Sequence, residues 1–102
     1  MGLTKRYSKE KKTCSVTFIL SKEAAKSAKT VHLVGEFNQW SLHDTPMKKT
    51  ANGSFKATLE LKRGKELQYR YLINDSMWKT DYQADKYANS EYGQCENSVV
   101  VV

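Results

Sequence analysis

Two tryptophans stand beside polar turns. Trp40 closes Gly35-Glu36-Phe37-Asn38-Gln39-Trp40, and Trp78 closes Asn74-Asp75-Ser76-Met77-Trp78. A tryptophan in such a place is either a lid packed on the core or a flat stacking surface offered to solvent. Arg70 adds five N–H donors in a planar fork. It lies between Tyr69 and Tyr71 in an alternating run, so if both tyrosines point inward Arg70 points out. Its alternative role is pairing with Glu60 or Glu66 across a strand. Asn38, Gln39 and Asn97 can supply further donors and acceptors, although the favoured role for Asn97 is a turn position that caps backbone.

Catalytic chemistry is not expected. Glycoside hydrolysis needs two opposed carboxylates. Glu36, Asp44, Asp75, Asp81, Asp85, Glu91 and Glu96 are all turn or loop residues with no pairing visible in the sequence. His32 and His43 have no serine or cysteine spaced to form a triad, and no glycine-rich phosphate loop is present. Cys14 and Cys95 sit near opposite ends. Geometry allows a disulfide between terminal strands, but in a cytoplasmic chain free thiols are expected. Two cysteines without paired histidines make a poor zinc site, and no cofactor is implied.

The elements that must position these residues are short strands. Ser15–Leu20 puts Val16, Phe18 and Leu20 on one face. Thr30–Val34 is a second strand, after a polar, alanine-rich stretch over Ser21–Lys29 that reads as a loop with one turn of helix capped by Ser21. Gly35 removes a side chain where the strand must bend or meet another backbone, Phe37 is a core anchor, and Asn38 is a turn former, because its amide can hydrogen-bond nearby backbone and it tolerates left-handed φ. Met47–Lys49 is a short strand. Asn52-Gly53 signals a hairpin. Phe55, Ala57, Leu59 and Leu61 then alternate with polar residues, as do Leu67, Tyr69, Tyr71 and Ile73. Thr80–Gly93 is irregular, and its Tyr82, Tyr87 and Tyr92 are expected to pack beneath a long loop. Ser98–Val102 is a last strand, expected inside a sheet because exposed valine edges aggregate.

About seven short strands with no long helix describe an all-β fold, an immunoglobulin-like antiparallel β-sandwich. An open barrel of the oligonucleotide-binding kind is the runner-up. At 102 residues the chain is one domain. We divide it into a basic lead-in at 1–12, which can be flexible, and the sandwich at 13–102. The net charge of +6 would favour anionic partners if concentrated. Only Lys5, Arg6, Lys9, Lys11 and Lys12 cluster, as in a solvated tail, so neither nucleic acid nor membrane is expected as a partner. No apolar run approaches the ~20 residues of a membrane span. The polar N-terminus is unlike a secretory signal, and the expected address is cytoplasmic.

Taken together, Gly35–Trp40, Gln68–Trp78, Asp81 and Asn97-Ser98-Val99-Val100-Val101 resemble the early-set sandwich of carbohydrate-binding module family 48. This is the domain that precedes the barrel of isoamylases and branching enzymes and forms the glycogen-binding domain of the AMP-activated protein kinase β subunit. The likeness spans roughly residues 14–102 and is to small stand-alone bacterial members. It implies a non-catalytic module that binds α-1,4-linked glucan such as glycogen or starch. The family's two tryptophans fall on Trp40 and Trp78, although one extra residue precedes Trp78. Its lysine falls on Arg70, a change of shape at constant charge. Its asparagine near the last strand falls on Glu96 or Asn97 by register, and the more natural alignment gives Glu96, a departure from the family. The resemblance also leaves room for a glycogen-metabolising enzyme or other protein as partner. The competing reading is an interaction or regulatory domain of the same fold that has lost sugar binding. A single-strand nucleic-acid binder is a third, which would bind with strong salt dependence.

Overall fold

Strand β1 (Gly2–Tyr7) pairs antiparallel with β2 (Thr13–Leu20), which pairs with β5 (Phe55–Lys62), and β5 carries the two-residue β4 (Lys48–Lys49) at its start. The second sheet runs β3 (Val31–Gly35), β6 (Glu66–Ile73), β9 (Glu96–Val101), β8 (Lys86–Asn89). A short β7 (Met77–Lys79) completes the far half of β6. The computed structural model describes residues 2–10, 12–25, 28–81, 83–89 and 96–102, with Asn89 described through its backbone alone. Its architecture is the expected antiparallel sandwich, with nine strands among the described residues rather than seven.

The added strands have identifiable causes. Gly2–Tyr7, expected only as part of a basic lead-in, supplies the polar outer edge of the first sheet. Its Lys5 Nζ reaches Asp85 Oδ2 at 2.5 Å. β8 arises inside the segment expected to be irregular, where Lys86–Asn89 pairs with β9. Tyr87 lies on that strand with 42% of its surface exposed, so it does not pack beneath a loop as expected. Tyr82 and Tyr92 lie outside the described residues, as does Cys95. Residues 21–25 form turns without a helix, and the Ser21 hydroxyl accepts the Ala24 N–H at 3.2 Å.

Between the sheets sits one core. Val16, Phe18, Leu20 and Cys14 from β2 meet Val31 and Leu33 from β3, Tyr69, Tyr71 and Ile73 from β6, and Val100 from β9. Cys14 is buried as a free thiol. Phe18 meets Tyr69 edge-on with centroids 4.9 Å apart, and packs against Phe37 in a tilted pair at 5.5 Å. Phe37 is thus the expected anchor, at the core's rim. Among the described residues, no helix is long and apolar enough to cross a membrane.

Candidate functional site

The site's frame is the outward face of the second sheet. Tyr69 and Tyr71 are fully buried between the sheets, so alternation sends Gln68, Arg70 and Leu72 outward. Register sets Val34 beside Arg70, and His32, Leu72 and Trp78 in one row across β3, β6 and β7. Val34, Leu72 and Val99 share this face, yet each is buried and outside the inter-sheet core. The face therefore has its own apolar floor beneath its polar and aromatic groups.

Arg70 and Trp78 are brought together. The Arg70 Cζ lies 5.5 Å from the centroid of the Trp78 ring, a cation–π contact of about 0.5–2 kcal/mol depending on its desolvation. Trp78 remains 43% exposed, and its neighbour Met77 62%. Neither glutamate considered for Arg70 pairs with it. Glu66 takes Lys86 at 2.9 Å, and Glu60 accepts the Thr13 hydroxyl at 3.0 Å. The Arg70 Nε is buried without a hydrogen-bond partner.

Trp40 is positioned by backbone. Gly35 is extended, with φ −172°. What requires glycine there is proximity, because a Cβ would lie 2.6 Å from the Gln68 carbonyl oxygen and 2.8 Å from Tyr69 Cβ. Glu36–Asn38 then make a 3-10 turn. Asn38 is buried. Its Oδ1 accepts the Gly35 N–H at 3.1 Å, and its Nδ2 donates to the Leu33 carbonyl at 2.9 Å and the Thr45 hydroxyl at 3.1 Å. The Asn38 amide thus bonds nearby backbone, as expected of a turn former, while the left-handed backbone it tolerates falls on Gln39 (φ 54°) and Trp40 (φ 59°). The Trp40 N–H donates to the Gly35 carbonyl at 2.8 Å, and its ring is 38% exposed. Among the described residues that ring has no aromatic, cation–π or hydrogen-bond contact with Arg70 or Trp78.

Asn97 and Glu96 both lie on β9, so Asn97 is a strand residue and not a turn cap. Asn97 is buried, and its Nδ2 donates to Gln68 Oε1 at 2.9 Å. Glu96 is exposed at the strand's start, where its carbonyl accepts the Thr80 hydroxyl at 3.1 Å. Gln68 is the polar residue of this face that the sequence reading passed over, although it shares Arg70's parity. Its N–H is held by Glu36 Oε1 at 2.6 Å.

A second missed group lies at the far end of the face. Asp75 Oδ1 is 3.1 Å from His43 Nε2 and 3.7 Å from His32 Nδ1, and the two imidazoles meet edge to face at 5.0 Å. The third is internal. Asp81 is fully buried, and its Oδ2 accepts both the Tyr69 and Tyr71 hydroxyls, at 2.9 and 3.0 Å. Burial above all raises both phenols well beyond their ordinary pKa. Next come the neighbouring Tyr71 and then the Asp81 carboxylate for Tyr69, and the Asp81 carboxylate for Tyr71. Two inward tyrosines on one strand require an acceptor, and that was the available signal. Among the described residues there is no group of three or more side chains arranged to hold a metal ion.

A two-sheet sandwich that presents an aromatic ring and a guanidinium together on one outer face has the character of a binding module. A family model described as the glycogen recognition site of AMP-activated protein kinase matches residues 22–102, and the chain belongs to that family. The resemblance carried by Gly35–Trp40 and Gln68–Trp78 is thus shown. Comparison with curated proteins finds no match.

Proposed function

We propose that the chain is a non-catalytic module that binds α-glucan of the glycogen or starch type on the outward face of its second sheet. The observation that carries this reading is the Arg70 guanidinium set over the half-exposed Trp78 indole. Arg70 braces the ring, the exposed indole surface takes the C–H face of a glucose unit, and the guanidinium donors meet hydroxyls at its rim. Trp40 contributes a second aromatic surface at the start of a loop anchored by Asn38. Asn97 acts through its amide pair with Gln68. Glu96 alternates with Asn97 along β9 and so points away from Arg70, which leaves Asn97 as the family position on this face. The carboxylates around this face are engaged otherwise than as an opposed hydrolytic pair: Asp75 meets His43, and Glu36 holds the Gln68 amide.

A second reading is favoured by Met77, whose exposure beside Trp78 suits an adaptable protein-binding surface. Titration of tryptophan fluorescence with maltoheptaose or β-cyclodextrin separates the two. The glucan reading expects a saturable change. Trp78→Ala should weaken binding about tenfold or more, equivalent to ~1.4 kcal/mol, while retaining the wild-type circular dichroism. Affinity should also hold within about twofold from low to high salt, because a neutral sugar releases no counterions. A flat titration at millimolar sugar overturns the glucan reading and leaves the protein-partner one.

A further inference from the structure

The loop that carries Trp40 and the hairpin that carries Trp78 meet through the two histidines and Asp75. The hairpin side is rigid. Asn74 and Asp75 both adopt left-handed backbone, with φ 52° and 60°, the pattern of a type I′ turn, which asparagine and aspartate favour. The Ser76 N–H donates to the Ile73 carbonyl at 3.1 Å. Asn74 Oδ1 accepts the N–H groups of Lys29 (2.7 Å) and Thr30 (3.2 Å), so the turn is tied to the entry of β3. The loop side is looser. Ser41 donates to the Asn38 carbonyl, and the Thr45 carbonyl accepts from Leu33. Between these ends Leu42–Asp44 make no backbone hydrogen bond among the described residues. The tip is tethered by the His43 side chain, on Asp75 and against the His32 ring.

We infer that His43, Asp75 and His32 form a proton-sensitive latch that positions the Trp40 loop against the Trp78 hairpin, so that ligand binding on this face tightens as pH falls. One carboxylate oxygen serves two imidazoles, at 3.1 and 3.7 Å. Imidazoles change charge between about pH 5 and 8. A proton gained by His43 turns its 3.1 Å contact with Asp75 into a charge-assisted one. His32 Nδ1 is buried without a hydrogen-bond partner, and its ring is the packed wall against which His43 is held. The two rings, 5.0 Å apart, repel if both are cationic, so one proton at His43 is the step that closes the latch. Asp44 is next to His43 in the chain, and Arg70 lies on the same face, seated over Trp78. A neutral glucan has no group that titrates here, so any pH dependence of its binding belongs to the protein. Because His43 and Asp75 are more than half exposed, the gain is modest, about two- to fivefold.

The sugar-binding consequence rests on the glucan reading, but the latch itself does not, and the test keeps them apart. Trp40 and Trp78 indole ¹⁵N–H shifts are followed by NMR from pH 5 to 8 without sugar, in wild type, His43→Gln and Asp75→Asn. Asparagine accepts left-handed backbone, so Asp75→Asn keeps the turn and removes the charge. The latch expects the wild-type indole shifts to move in step with the histidine ring protons, and both variants to lose that movement. Indole shifts that stay flat through the histidine titration, or that move equally in Asp75→Asn, overturn it. β-Cyclodextrin titration at pH 5.5 and 8 then reads the consequence. Wild type should bind about two- to fivefold tighter at pH 5.5, and both variants should bind equally at the two values. Equal wild-type affinities at the two pH values also overturn the inference. Moving indoles with no sugar binding at either pH keep the latch and sink the glucan reading.

Discussion

Asn38 holds the Trp40 loop through three side-chain hydrogen bonds in a buried place. Truncating it strands the Gly35 N–H and the Leu33 carbonyl, each worth about 1–3 kcal/mol when left unpaired. Asn38→Ala should therefore cost about 2–4 kcal/mol in urea unfolding. Asn38→Asp keeps the acceptor for Gly35 but sets a buried carboxylate oxygen against the Leu33 carbonyl, and should cost at least as much. At this scale the sequence was half legible. The outward direction of Arg70 followed from parity, and the exposure of Trp78 from its place at a hairpin tip. What could not be read was partner choice. Arg70 had two glutamates in prospect and took an indole, because Glu60 lies on β5 of the other sheet and Glu66, four residues back along β6, pairs with Lys86. The left-handed residues fell one and two positions beyond Asn38, since its amide was needed as a buried plug rather than at the turn's crest.

At the scale of elements, the close approach of β3 to β6 at Gly35 is the point of least tolerance. Alanine can adopt the extended backbone there, so the obstacle is contact with the Gln68 carbonyl and Tyr69 Cβ. Gly35→Ala should destabilise by about 1–3 kcal/mol through forced separation of the strands. Hydrogen exchange should show the loss concentrated in the amides of Gln68–Arg70, and uniform loss across both sheets would contradict this. The strands with strict alternation, β2, β5 and β6, were legible because one face of each is buried and period two follows. β1 and β8 were not. Their residues are mostly polar and exposed, and their pairing is decided by the edges they cover, Lys5 reaching Asp85 in one case and β9 lying alongside in the other.

For the molecule as a whole, two sheets enclose one core while one outer face carries a smaller apolar floor, Val34, Leu72 and Val99, under the candidate site. The cationic excess of the chain, +6, has no concentrated expression at that site, where Arg70 is balanced by aromatic contact and by Asp75 near the histidines. The fold class and the family motifs were therefore readable from residue spacing, whereas the histidine–aspartate cluster was not. His43 and Asp75 stand 32 residues apart, and only the return of the loop along β3 brings them together.

The Asp81 cluster has a consequence in alkali. Of the chain's six tyrosines, Tyr69 and Tyr71 share one buried carboxylate, and both phenols are held protonated by their surroundings. Their folded pKa values lie above the unfolded value of about 10. The stability this represents is full below pH 10 and declines as pH rises above it. With two such groups the slope approaches roughly 2.7 kcal/mol per pH unit. In a spectrophotometric titration near 295 nm, these two phenols should stay dark while exposed tyrosines ionise, then appear together in a single step as the sandwich opens. If they ionise gradually with the rest while the fold persists, Asp81 is not sealed from solvent. With the cluster sealed, the upper pH limit of the module is set by two hydroxyl groups buried away from the candidate site.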